Sequence, residues 1–141
     1  MSYDLSWNPP VELSSTEQRV VKRTLKKRKL FAFLREIRHE LFNEEFQQEL
    51  AEMYRQTGSG KPPVAPALMA MAVILQKYAQ VSDNEAVELT VFDKRWQMVL
   101  DCLNAEHPIF SLGAFFDFRM RLMATDMDQR LLERTIEFAR L

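Results

Sequence analysis

The chain holds a single cysteine, Cys102, among 141 residues. That excludes an internal disulfide and a zinc site built from several cysteines, and it fits a reducing, cytoplasmic setting. Glycine is scarce, and two of the three glycines flank Ser59. The stretch Gly58-Ser59-Gly60-Lys61 is too short for a Walker-type phosphate loop. The longest apolar run, Ala67 to Leu75, falls well short of the ~20 residues needed to cross a bilayer. Residues 1–12 have neither a basic start nor an apolar stretch, so no signal peptide is expected. Period-2 alternation between turn residues is also missing, which argues against strands.

What is present is ordinary in amount and uneven in placement. Hydrophobic residues make up 47% and charged residues 28%, as in a folded domain. The net charge is −1. Yet Arg19, Lys22, Arg23, Lys26, Lys27, Arg28 and Lys29 stand within eleven residues with no acid among them. The rest of the chain sets twelve basic residues against twenty acids. A +7 segment is thus joined to a −8 body, and an electrostatic partner would be met locally.

Helix signals recur along the chain. Ser14-x-x-Glu17 is a capping box ahead of the basic stretch. Leu30, Leu34, Ile37 and Leu41 share one face of the next segment, with Phe33 beside them. Asn43 caps a helix with Phe46, Leu50 and Met53/Tyr54 in a stripe. Pro66 opens a helix that is apolar all round and reads as central. Ser82-x-x-Glu85 is a second capping box, with Ala86 and Leu89 facing in. Trp96, Val99, Leu100 and Leu103 keep helical spacing from Asp93 to Leu103. Ser111 caps a helix with Phe115, Phe118 and Leu122. Asp126-x-x-Gln129 opens a last helix expected to turn Leu131, Leu132, Thr135, Ile136 and Ala139 inward. The expectation is an all-α bundle of seven or eight helices. It divides into an arm at 1–13, a basic and amphipathic region at 14–56, a Gly/Pro linker at 57–63 and a bundle at 64–141, with 14–141 as one structural unit.

Several motifs occur in a joint order that resembles a known family. These are Gly60-Lys61-Pro62-Pro63-Val64 before the apolar helix, then Tyr78-x-x-x-Ser82-Asp83-x-Glu85, then Lys94-Arg95-Trp96-Gln97-Met98-Val99-Leu100. Phe110-Ser111-x-Gly113-x-x-x-Asp117-Phe118-Arg119-x-Arg121-Leu122 follows. Together, over about residues 30–141, they resemble the N-terminal domain of InsH-like bacterial insertion-sequence transposases. The resemblance implies a helical domain that precedes a DDE-type, RNase-H-like nuclease domain and helps bind element ends. The acids of that nuclease have no positions to be carried onto here. On this reading the chain is expected to be a separated or truncated non-catalytic module.

The candidate contacts with double-stranded DNA are these. On one helix, Arg19, Lys22, Arg23, Lys26 and Lys29 line a side at i, i+3/4 and i+7, opposite Val21 and Leu25, with Lys27 and Arg28 adding charge. Such a helix gains from phosphate contacts that release counterions. A solvated face, a connector or an acidic protein partner would use the same composition. The helix opened by Ser111 offers its N-terminus to phosphate, Gly113 permits close backbone approach, and Arg121 points outward. With the Ser82 helix it makes a loose helix-turn-helix-like pair. The bland reading of Arg121 is an i, i+4 pair with Asp117. Arg119 is expected to be semi-buried against a carboxylate. Lys61 in the linker and Lys94 and Arg95 beside a core Trp96 are lesser basic spots.

Other chemistry finds little support. Cys102 and His107 are five residues apart with Pro108 beyond them, which does not make a dyad. His39, on a polar face beside Arg38 and Glu40, has no second histidine at i+4. Asp83, Asp93, Asp101, Asp117 and Glu133 read as caps and i, i+4 partners. No metal and no cofactor is expected. The methionines near the end of the chain suggest an apolar face for a homodimer, or for docking to a catalytic domain. A helical oligomerisation module, or a relic without DNA affinity, is therefore the alternative to DNA binding.

Overall fold

Most of the helices among the described residues begin where a side chain takes up the unpaired N–H groups of a first turn. The computed structural model describes residues 5–58 and 61–140. Residues 1–4 of the expected arm, Ser59 and Gly60 of the linker, and Leu141 lie outside the described residues. Eight helices run in the order α1 (Ser15–Lys27), α2 (Lys29–Leu41), α3 (Glu44–Gln56), α4 (Pro66–Ala79), α5 (Asp83–Phe92), α6 (Lys94–Val99), α7 (Leu112–Ala124) and α8 (Met127–Ala139). No strand occurs among the described residues. The oxygens of Ser14, Asn43, Ser82, Asp93 and Ser111 accept first-turn N–H groups of α1, α3, α5, α6 and α7. At Ser14 the bond is reciprocated by Glu17, which completes the capping box. Asp126 differs from the expectation: it precedes α8 with φ 58° and its side chain caps nothing.

The centre is α4. Ala67, Met69, Ala70, Met71, Ala72, Val73 and Leu75 are buried on all sides, against α3, α5, α6 and α7. Around it, Leu34 and Leu41 of α2, Phe46 and Leu50 of α3, Trp96 of α6 and Phe115 and Phe118 of α7 complete one continuous core. The helix expected from 93 to 103 stops at Val99. Asp101 and Asn104 adopt positive φ there. Buried Gln97 then organises the turn, donating to the carbonyls of Thr90, Val91 and Ala105 and accepting from Asn104 N–H.

Two buried arginines correct the reading of α2. Arg35 and Arg38 are each 1% exposed, on the same face as Phe31 and Leu34. Arg35 Nε lies 2.6 Å from Glu17 Oε2, and its Nη atoms donate to the carbonyls of Val11 and Glu12. Among the described residues no carboxylate lies within ion-pair distance of Arg38. It donates to the carbonyls of Met98 and Val99 at the end of α6 and to Pro10. Burial, followed by the charge of Arg35, brings its pKa down to about 10. Gln47 holds both the N–H and the carbonyl of Trp7. Residues 7–12 are thereby strapped onto α2 and α3. The expectation that α8 turns Leu132, Ile136 and Ala139 inward is corrected: only Leu131 of α8 is fully buried. Arg134 takes an inner place instead, donating to Leu41 O and stacking 4.5 Å from the Phe46 ring centre.

Candidate nucleic-acid interface

The position of α1 is set from its inner side. Glu17 is 7% exposed and Thr24 is 5% exposed, with Val20 and Val21 half-buried between them. Burial raises the Glu17 carboxyl, but the hydrogen bond from Arg35, the Ser14 N–H and the charges of Arg35 and Arg38 outweigh it, so its pKa lies below 4.5. The expected inner residue Leu25 is instead 51% exposed, and Thr24 takes its place, its hydroxyl donating to Val21 O. At 100° per residue, Arg19, Lys22 and Lys26 fall on the opposite, outer side, and Arg23 and Lys27 fall on the flank beside Val20 that faces the cleft. They are exposed, as are Arg28 and Lys29.

Lys29 is not on the same helix as Arg19. The chain breaks at Arg28 (φ −131°, ψ 70°), and Lys29 opens α2. The basic run therefore forms the outer face of α1 and the corner after it. Among the described residues none of the seven takes part in an ion pair.

Packing of α1 on α6 adds cations from far along the chain. A cleft of about 330 Å³ is lined by Arg23, Lys27, Arg28, Lys94 and Arg95, with Val20 and Thr24 as the apolar and hydroxyl part of its wall. Arg95 is fixed in place. Its Nη2 lies 2.6 Å from Asp93 Oδ2 and its guanidinium sits 4.7 Å from the centre of the Phe31 ring. The hydrogen bonds that Arg95 donates to Asp93, against a smaller opposing effect of burial, raise the Arg95 pKa beyond its ordinary value. The convergence of residues 23–28 with 94–95 is not readable from sequence spacing, because it depends on how α1 crosses α6.

The remaining candidates are dispersed. Lys61 is exposed beside Pro62, near the strapped arm. Ser111 is spent on capping α7, accepting from Ala114 N at 3.0 Å. A Cβ at Gly113 would meet nothing within 4 Å, so packing does not require glycine there. Arg121, expected to reach DNA, is committed to the seam between α3 and α7. Its side chain is 11% exposed, 2.7 Å from Asp117 Oδ2, hydrogen-bonded to Thr57 and 4.4 Å from the Tyr54 ring centre. Arg119 pairs with Asp83 at 2.7 Å, as its semi-buried placement anticipates. Helices α5 and α7 pack together, but residues 93–111 and α6 intervene where a helix-turn-helix has a short turn. Burial and nearby Asp101 push the Cys102 thiol up to about 11, and it remains a core thiol rather than a nucleophile. Among the described residues no three His, Cys, Asp or Glu side chains are grouped to hold a metal ion. No helix among them is long and apolar enough to cross a membrane.

The architecture is that of an all-helical domain with one uncompensated basic face. A model of a family described as "Transposase domain (DUF772)" matches residues 17–121, well over half of the chain. The chain belongs to this transposase domain family, which gives it a role in transposition. No curated protein and no solved structure gives a significant match.

Proposed function

We propose that this chain is a non-catalytic DNA-binding module of an insertion-sequence transposase, and that it takes the element's terminal inverted repeats on the outer face of α1 and the adjoining cleft with α6. The observation that carries the reading is the set of seven exposed cations free of ion pairs on a protein of net charge −1. Cations already paired to carboxylates gain little from phosphate. Unpaired ones displace condensed counterions from the duplex, which drives association. Lys94, exposed and in no ion pair among the described residues, supplies a second rail across the cleft from Arg23 and Lys27, beside the Arg95 that Asp93 holds in place. Membership in a transposase family supports nucleic acid over an acidic protein as the partner.

The test is a salt titration of binding to a short duplex carrying an element end, against a scrambled duplex. Log K should fall linearly with log salt, by about 0.9 for each phosphate neutralised. Replacing Lys26, Lys27, Arg28 and Lys29 with glutamine should flatten that slope in proportion to the phosphates that are no longer neutralised. Preference for the element end assigns the module to end recognition. Absence of binding even at low salt overturns the reading.

A further inference from the structure

Of the cations lining the cleft between α1 and α6, Arg95 alone is in an ion pair among the described residues. Its Nε donates to Asp93 Oδ1 at 3.0 Å and its Nη2 to Asp93 Oδ2 at 2.6 Å. Asp93 is held in turn, because Oδ1 also accepts from the N–H groups of Arg95 and Trp96 at the start of α6. Buried Phe31 packs its ring against the guanidinium. One side edge of the guanidinium and one face are thus taken. The end edge is left, with one N–H from Nη1 and one from Nη2 pointing the same way in the plane of the group. The Arg95 side chain still has 41% of its surface in water, so this edge is within reach of a ligand.

Two parallel donors at a fixed spacing call for two adjacent acceptors. A phosphate has them, but at Arg95 it would arrive beside the Asp93 carboxylate, which already offsets the guanidinium charge. Arg23, Lys27, Arg28 and Lys94 carry no such offset and suit phosphates better. An uncharged pair of acceptors meets no repulsion from Asp93. In the major groove only guanine presents two acceptors side by side, N7 and O6. We propose that Arg95 is a specificity-determining residue, whose end edge donates to N7 and O6 of a guanine while the α1 cations hold the backbone around it. The inference rests on the DNA-binding reading above and adds a base contact to it. A fork preset by Asp93 and Phe31 gives up little side-chain freedom on binding, so the contact sorts bases at small entropic cost.

Selection by the whole chain from duplexes with a randomised core tests it, followed by titration of the selected duplex. The wild-type chain should enrich a site containing a guanine that Arg95→Ala no longer selects, with the other preferred positions kept. Replacing that guanine by 7-deazaguanine, which lacks the N7 acceptor, should weaken wild-type binding about tenfold and leave Arg95→Ala unaffected. Asp93→Asn keeps a cap on α6 but loosens the fork. It should lose the guanine preference while binding random duplex more tightly, since an acid is removed from the basic face. Circular dichroism reports whether each variant is folded, and Asp93→Asn decides if Arg95→Ala is not. Wild-type chain that binds no duplex overturns the DNA reading and this inference together. Binding without base preference, or a guanine preference that survives both changes, overturns this inference alone. So does a loss in Arg95→Ala that is equal on every duplex and flattens the salt slope, the mark of a phosphate contact.

Discussion

Helices α1 and α4 are nearly equal in length and are held by opposite means. α4 is placed by burial: nine of its residues are out of water, and its position would survive the loss of any one polar contact. α1 presents to the body only Glu17, Thr24 and two half-buried valines. Its start is tied down by the Glu17–Arg35 pair, and the same guanidinium holds the carbonyls of Val11 and Glu12. A helix that devotes one whole side to charge has little apolar surface to bury, so directional bonds must fix it. The face proposed to meet DNA is therefore the part of the molecule most dependent on a single buried side chain.

The comparison can be broken from either end. The largest effect should come from the α4 side. Leu75→Ala leaves a cavity in a fully buried site and should cost about 2–5 kcal/mol. Because α4 touches most of the core, amide exchange should accelerate in every helix together. The corresponding change on the other side is Arg35→Ala. It leaves Glu17 without its partner and two arm carbonyls without a donor, at a cost of about 1–3 kcal/mol. Here exchange should rise first in α1, with α4 still protected. Equal loss of protection in both helices would show that α1 is not separately tethered.

How much of this is legible in the sequence divides along the same line. The all-helical class, the caps at Ser14, Asn43 and Ser111, and the buried α4 follow from local pattern, because apolar periodicity and capping act over a few residues. Arg35 and Arg38 count as polar by type. At 100° per residue Arg38 falls between Leu34 and Phe31 and Arg35 falls just beyond Phe42, so their place on the inner face is open to view. What sequence does not hold is a reason for a cation to be inside. That reason is distant: the carbonyls of Pro10, Met98 and Val99. The same applies to Arg134, whose inward stacking rotates α8 and exposes Leu132. Counting Lys with Arg hides a division that the fold makes. All seven lysines are exposed, whereas Arg35 and Arg38 are buried and Arg95, Arg119, Arg121 and Arg134 bind carbonyls, carboxylates or rings. A planar guanidinium with five donors suits such sites and an ammonium does not. At the candidate interface, α1 and its charge are legible, while the joining of Lys94 and Arg95 to it is not.

Acid should separate the two helices more gently. The Glu17 carboxyl is held below 4.5 by the balance of contacts described above, and Asp83 is held below 3.8, first by the hydrogen bond from Arg119, against burial. Both groups favour the folded state when ionised. Their contribution is complete above the ordinary carboxyl values and is lost as pH falls through the depressed folded ones. Denaturant midpoints should therefore drop as pH falls from about 5 through the depressed values. Glu17→Gln should lower stability at neutral pH and make the acid limb shallower. An unchanged limb in that variant would remove Glu17 from the tether.

The smallest expected effect concerns the N-terminus of α7, which stands apart from both. Gly113 is exposed, has ordinary negative φ and faces open space, so neither packing nor backbone demands glycine. Gly113→Ala should raise stability by roughly 0.5 kcal/mol or less, through a lower entropy cost in a helical turn. Its use lies in the contrast with DNA affinity. If duplex backbone approaches α7 closely, the added methyl should weaken binding despite the stabilisation. If α1 and the cleft with α6 carry the contact, affinity and salt slope should both stay at the wild-type values. A fall in affinity with no fall in stability would move the interface from the tethered helix to α7, and the dependence on Arg35 would then lose its functional meaning.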